Sequence, residues 1–469
     1  MESKIFLPRN FPACCSYFPV FHFPASVMLG ARSLMKLRLI FLAIALAIPF
    51  CSAAENWPQW RGPFFNGSTT EQGLPIQWSK TNNVAWVAPL PGYSAATPVV
   101  WEDSVFVSSP DAQKNLLLIC LDRRNGHVRW QQTVGAGDRE KGRNNFASPS
   151  PVTDGKHVFI LFATGDLAAY DFSGKKIWAR DLAKEYHPFS IQWIYGSSPM
   201  LYKGKLYVQV LQRGGGQAGY FAPQGEAAQR ESFLLCVDPE TGKDLWRHIR
   251  ATDAIRESQE AYTTPIPLEG KDGTEVIVVG GDYVTAHRTD TGAELWRCGG
   301  LNVGHESSWR IVPTPVVADG LVIACAPKRD PVLAIKDGGR GLVTESNIVW
   351  KLEEYTADCV TPLVYQNRLF VLDGDHQMMT CLEPGTGRTK WRESLGVRDI
   401  FRASPTGADG KIYCVSESGT VVVLSAGEDF RILASFPMGE SPVRSSIAVA
   451  QGNLFIRTAE NLYAVRGNP

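Results

Sequence analysis

One unit recurs along the chain, and it decides what the chain can fold into. It opens with Ser or Thr before Pro, passes a polar turn that often holds Asp-Gly, runs on through β-branched and aromatic residues, and ends in Asp-x-x-Thr-Gly and a Trp. Clear copies lead from Thr97-Pro98 to Trp130, from Ser198-Pro199 through Thr241-Gly242 to Trp246, and from Thr264-Pro265 through Thr291-Gly292 to Trp296. Ser148-Pro149 or Ser150-Pro151 leads to Trp178, Thr314-Pro315 to Trp350 and Thr361-Pro362 to Trp391. Ser404-Pro405 opens a copy without its Trp, and Ser445-Ser446 opens the last. Successive spacings from Trp86 to Trp391 are 44, 48, 68, 50, 54 and 41 residues. That is the period of a four-stranded propeller blade and too long for a leucine-rich or tetratricopeptide repeat. The runs alternate, and no sustained 3.6-residue period follows the leader, so the architecture is all-β and radial.

Eight openings imply eight blades, but no Trp-bearing strand follows the eighth. The segment Asn83-Val84-Ala85-Trp86-Val87 matches the missing strand and precedes the first opening. We therefore expect an eight-bladed β-propeller of four-stranded antiparallel blades over residues 83–469, closed by pairing of this N-terminal strand with the last blade. Such closure leaves no exposed edge between first and last blades. The Asp-x-x-Thr-Gly segments read as tight hairpin turns. Trp86, Trp130, Trp178, Trp246, Trp296, Trp350 and Trp391 read as docking side chains that fill the gap between neighbouring sheets, each indole N–H seeking a backbone acceptor.

Composition removes other classes. The 47 basic and 47 acidic side chains cancel, so the footprint of a nucleic-acid binder is missing, and 44% hydrophobic residues exclude wholesale disorder. Residues 1–54 read as leader and secretory signal. Lys36 and Arg38 precede an apolar run, Leu39 to Ile48, and Ser52-Ala53-Ala54 forms a cleavage site. The run is too short to span a bilayer. Met28 and Met35 are alternative starts, and the bulky Phe50 argues against lipid attachment at Cys51. The chain is thus expected to be exported, periplasmic or extracellular, with no transmembrane span and with residues 55–82 as an N-terminal extension. Cleavage after Ala54 leaves seven cysteines, an odd number unsuited to a disulfide framework. Cys120, Cys236 and Cys381 fall where other repeats place Ala169 and Ala286, which predicts small buried strand residues. No Cys-x-x-Cys pair or His/Cys cluster points to a metal.

The Asp-x-x-Thr-Gly-x-x-x-Trp pattern resembles the tryptophan-docking repeat of the quinoprotein dehydrogenase propellers, the PQQ repeat. The chain is similar also to the eight-bladed propeller of the outer-membrane barrel-assembly scaffold, and to exported PQQ-like propellers whose mature start resembles Asn56-Trp57-Pro58-Gln59-Trp60-Arg61-Gly62-Pro63. The resemblance implies the fold and says little about activity. Family enzymes hold a quinone at the funnel mouth with Ca²⁺ on Glu, Asn and Asp, and many carry adjacent cysteines there. The only adjacent pair here, Cys14-Cys15, lies in the leader, and no Cys-x-x-Cys-His heme site is present.

In a propeller the segments before each Ser/Thr-Pro face one mouth of the central channel. They carry Asn145, Tyr195, Glu260, Tyr262, Trp309, Arg310, Asp358, Arg402 and Arg444, with Tyr93 and Asn144 beside them. Arginines, acids and aromatics converging on one opening suit a polar ligand or a docked peptide. The 68-residue spacing reflects an insert around Gln212 to Glu231 between strands two and three of the third blade. Its glycines lack the following helix and Lys of a phosphate loop. His305 and Glu306 next to Arg310 form a second candidate able to do acid-base work, although one His among polar loop residues reads more simply as a solvated side chain. The first expectation is an exported, non-catalytic scaffold that binds a protein or other ligand at the funnel and needs no cofactor. The alternative is a dehydrogenase dependent on pyrroloquinoline quinone and Ca²⁺, which requires Glu260, Asp358 and Asn145 to meet around one cation at about 2.4 Å.

Overall fold

The computed structural model describes residues 55–79, 82–214, 230–270, 273–328 and 330–467. The leader, Cys51 and residues 215–229 of the insert lie outside the described residues. Eight sheets alternate short strands with polar turns, as the repeat requires. In blade 1 the strands Val99–Trp101, Ser104–Pro110, Asn115–Asp122 and Val128–Ala136 pair in chain order from the channel outward. Blades 2 to 7 repeat this order, and blade 4 gains a fifth strand, Gly341–Leu342, parallel to its outer strand Glu294–Cys298. Blade 8 takes Ala448–Ala450, Asn453–Arg457 and Asn461–Arg466 from the C-terminus and Val84–Pro89 from the N-terminus. Trp86 lies opposite Ala464 in that closing pair. Among the described residues, helix is confined to short turns such as Leu182–Tyr186 and Thr344–Asn347.

The repeat residues have legible jobs. Each outer-strand Trp faces a small residue on the third strand: Cys120, Ala169, Cys236, Ala286, Ala334 and Cys381 stand opposite Trp130, Trp178, Trp246, Trp296, Trp350 and Trp391. A register shift beside each pair tips the indole toward the next blade. There it lies on the turn glycine. A Cβ on Gly126, where φ is +74°, would sit 2.6 Å from the Trp86 ring, and Gly174, Gly242, Gly292 and Gly387 receive Trp130, Trp178, Trp246 and Trp350 in the same way. The indole N–H then donates to a turn carbonyl, as from Trp86 to Arg123 at 2.7 Å and from Trp178 to Pro239 at 2.8 Å. Two copies depart. Blade 5 lacks the Thr-Gly turn, and Trp296 donates to the buried Glu275 carboxyl at 3.2 Å. Burial, with Asp337 alongside, pushes Glu275 up to about 7. Blade 7 also lacks the turn, and Trp391 packs edge-on against Phe430.

The Ser/Thr-Pro openings build a belt around the channel. The hydroxyls of Ser150, Ser198, Thr264, Thr314, Thr361, Ser404 and Ser446 each accept the backbone N–H of the equivalent residue one blade earlier, at 2.9–3.2 Å. This makes Ser150-Pro151, not Ser148-Pro149, the opening of blade 2. At the seam between blades 8 and 1, Ser445 Oγ donates instead to the Ala96 carbonyl at 2.9 Å.

The N-terminal extension crosses the far end of the channel. Trp57 pairs with Val100 of blade 1 through both backbone groups, Pro58 O accepts from Thr153 of blade 2, and Gln59 Oε1 accepts from Leu201 of blade 3. Trp60 Nε1 donates to Thr314 Oγ1 of blade 5 at 3.3 Å. The buried Arg61 guanidinium donates to Pro362 O of blade 6 at 3.0 Å and Pro405 O of blade 7 at 2.9 Å. Burial lowers the pKa of this side chain to about 9. Its packing leaves no room for a side chain at Gly67, where a Cβ would fall 1.9 Å from the guanidinium. Glu71 finally accepts from Gln451 and Gly452 of blade 8. The segment whose sequence resembled a family start therefore underlies the channel and ties its blades together.

Candidate functional site

At the funnel mouth lies a cavity of about 270 Å³, to which seven of the eight blade connections contribute a polar or aromatic side chain and the first contributes Ala95. In blade order the side chains are Arg143 and Asn144, Trp193, Tyr262, Arg310, Cys359, Arg402 and Arg444. A narrower space of about 140 Å³ continues below it past the Ser/Thr belt to Trp60. Among the described residues, the upper cavity wall carries four arginines and no carboxylate.

The arginines are held by acids set behind them. Glu417, at the turn between the second and third strands of blade 7, accepts from Arg444 Nε at 2.6 Å and from Arg143 Nε at 3.0 Å. Arg444 also donates to Tyr93 Oη at 3.0 Å. Arg402 donates to Asp375 Oδ1 at 2.6 Å. Arg310 is held more loosely, 3.3 Å from each Asp358 oxygen and 3.6 Å from Glu257. Strong guanidinium–carboxylate bonds are about 2.7–2.9 Å, so Arg310 has not found its best acceptor. Burial alone would favour neutral acids at Asp358 and Glu417, but Arg310 holds the first below its ordinary range, and Arg444 with Arg143 the second. Asp358 and Glu417 therefore stay ionised beside Arg310 and beside Arg444 with Arg143.

The residues expected from sequence divide into two groups. Tyr262, Arg310, Arg402 and Arg444 line the cavity, and Asp358 stands directly behind Arg310. Asn145 does not reach it. Its amide donates to Tyr93 O at 2.7 Å and accepts from Ala147 N at 3.0 Å, while the neighbouring Asn144 faces the cavity. Tyr195 is buried, donating to Gln209 O at 2.7 Å and packing on Phe189. Trp309 is turned toward Asp330, with Lys328 Nζ 4.6 Å above its ring. Glu260 is wholly buried behind Tyr262, its oxygens taken by Arg213 at 2.7 Å and Gln192 N at 2.8 Å. Burial pushes its carboxyl up to about 7 against these partners. His305 is exposed and lies outside the lining.

The three oxygen donors that a quinone-bound Ca²⁺ would need are thus committed elsewhere: Asn145 to two backbone groups, Glu260 to Arg213, and Asp358 to Arg310 and Lys328 N. This set does not fit the cation.

Sequence reading did not find Arg143, Trp193 or Cys359. Arg143 rides on a small hairpin in which Glu140–Lys141 pairs with Asn144–Asn145, turned by Gly142 at φ +62°. The Lys141-Gly142-Arg143-Asn144 run was its signal, a tight turn inside an inter-blade connection. Trp193 is fixed by three bonds: its N–H donates to Tyr262 Oη, its carbonyl accepts from Asn144, and its indole donates to Glu257 at 2.8 Å. The seven described cysteines are free, and Cys359 is the one that reaches the cavity. Burial pushes its thiol up to about 12.

Among the described residues, no helix is long and apolar enough to cross a membrane. No curated protein sequence matches the chain significantly. Solved structures do match in fold. BamB from Moraxella catarrhalis aligns with 16% identity over 81% of this chain and 98% of its own, at a TM-score of 0.55. A europium-containing methanol dehydrogenase aligns with 10% identity over 87% and 90%, at 0.61. The quinohemoprotein alcohol dehydrogenase from Comamonas testosteroni aligns with 11% identity over 88% and 81%, at 0.59. The sequence family described as outer membrane protein assembly factor BamB matches residues 67–208, 230–354 and 342–467. That match runs through nearly all of the propeller, and the chain belongs to this family.

Proposed function

We propose that the protein is an exported, non-catalytic propeller that docks a protein partner at the funnel by taking an acidic side chain or chain terminus of that partner into the arginine-lined cavity. The observation that carries this reading is the wall itself, with four guanidinium groups facing inward and their carboxylates behind them. A carboxylate entering from solvent gains charge-assisted bonds without displacing an acid from the wall. Arg310, held at 3.3 Å by its present partner, tightens onto it. Trp193 and Tyr262 offer flat apolar surface for the rest of a docked side chain. The cavity, about 270 Å³, is of side-chain size. The family description, an assembly factor of outer membrane proteins, agrees with a protein partner and with export.

The test is titration of the purified protein with hexaglutamate, with hexaglutamine as control, alongside addition of pyrroloquinoline quinone and Ca²⁺ with an alcohol and a reducible dye. The expected result is saturable one-site binding of hexaglutamate that weakens as salt rises, no binding of hexaglutamine, and no dye reduction. Alcohol-dependent dye reduction overturns the non-catalytic reading. Equal binding of the two peptides overturns the acidic-partner reading.

A further inference from the structure

We infer that Asp154, His157 and Glu240 form a binding site for a zinc-class divalent cation at the junction of blades 2 and 3, away from the funnel. Asp154 and His157 flank the Gly155-Lys156 turn that joins the inner strand Val152–Thr153 to His157–Leu161. Asp154 Oδ1 accepts the backbone N–H of Lys156 at 2.8 Å and of His157 at 2.6 Å. Its other oxygen is thereby turned to the imidazole. Glu240 sits in the Thr-Gly turn of blade 3, its own N–H held by Asp238 at 2.8 Å. That turn is fixed to blade 2 because Pro239 O accepts the Trp178 indole at 2.8 Å.

Three donor atoms from two blades thus lie within 4.8 Å of one another. The independent sign of a ligand is the imidazole. His157 is 7% exposed, and its Nδ1 is buried without a hydrogen-bond partner. A buried polar nitrogen left unpaired costs about 1–3 kcal/mol, so such an atom needs a reason. It points between Asp154 Oδ2 at 3.5 Å and Glu240 Oε1 at 3.9 Å. Both distances are too long for a hydrogen bond and slightly wider than the ~3.3 Å that separates two ligands held at about 2.0–2.1 Å by one tetrahedral zinc ion. One nitrogen and two carboxylate oxygens suit zinc or a neighbouring first-row ion. Glu240 is exposed, which leaves the outer coordination position to water. Lys156 Nζ, 3.1 Å from Glu240 Oε1, would be displaced by the cation. The bound ion would staple two blades beside a docked Trp.

The experiment is calorimetric titration of the full protein, stripped with chelator, with ZnCl₂, and parallel thermal melts with and without zinc. The expected result is one saturable equivalent and a raised melting temperature. Glu240→Gln and Asp154→Asn should each weaken binding at least tenfold and abolish the thermal shift. His157→Ala should do the same, and because Glu240 is exposed, the Glu240→Gln variant reports even where loss of the buried ring impairs folding. Absence of a saturable equivalent overturns the site. So does zinc binding left unchanged in Glu240→Gln, and the three side chains are then an ion-paired turn.

Discussion

Replacing Trp57 with Ala is expected to destabilise the folded chain by about 3–5 kcal/mol, the usual cost of deleting a buried Trp side chain. The ring is fully buried, and Gly62 lies close enough that a Cβ there would be 2.8 Å from it. Packing this close cannot slide in to fill the hole, so the cavity term stays large. The backbone of Trp57 also carries the two bonds to Val100 that start the crossing beneath the channel. Denaturant unfolding of the variant measures the loss. Trp193→Ala, at the partly exposed mouth, is the control and should cost about 1 kcal/mol or less. Equal losses from the two would mean that the N-terminal segment is an appendage and not the floor.

The second large effect concerns binding. Arg310→Ala with Arg402→Ala is expected to weaken hexaglutamate binding about 100-fold or more, since each charge-assisted bond contributes roughly 1.5–3 kcal/mol. Folding should suffer much less. Asp375 remains partly solvated, and Asp358 keeps the N–H of Lys328 at 2.7 Å. Calorimetry and thermal melts on the same samples separate the two quantities. A collapse of the melting temperature with no separate loss of affinity would make these arginines blade-to-blade ties.

The sequence carried the fold because each repeat residue answers a local demand. The turn glycine is required where an indole lies on it, the Cys or Ala opposite each Trp is small and fully buried, and Trp86 is stranded from its sheet unless the ring closes. The Ser/Thr hydroxyls were visible as a pattern, but their belt is a long-range bond network that no local spacing reveals. The same holds for the floor: Asn56 to Pro63 was conspicuous in the sequence, yet its contacts reach residues some 340 positions away, as from Arg61 to Pro405. At the funnel, topology placed the connections correctly, while side-chain direction within them was not legible. Asn144 and Asn145 are adjacent and face opposite ways. Glu260 turns inward because Arg213, from the edge of the insert, meets it there. Arg143 was hidden because its hairpin is an irregularity within one connection.

Photo-crosslinking of a hexaglutamate peptide bearing a terminal benzophenone, followed by mass-spectrometric mapping of the attachment points, locates the docking site directly. Crosslinks are expected around residues 142–144, 193, 310 and 402, abolished by Arg310→Ala with Arg402→Ala. Crosslinks on the outer strands or on the floor, unaffected by those substitutions, would contradict docking at the funnel.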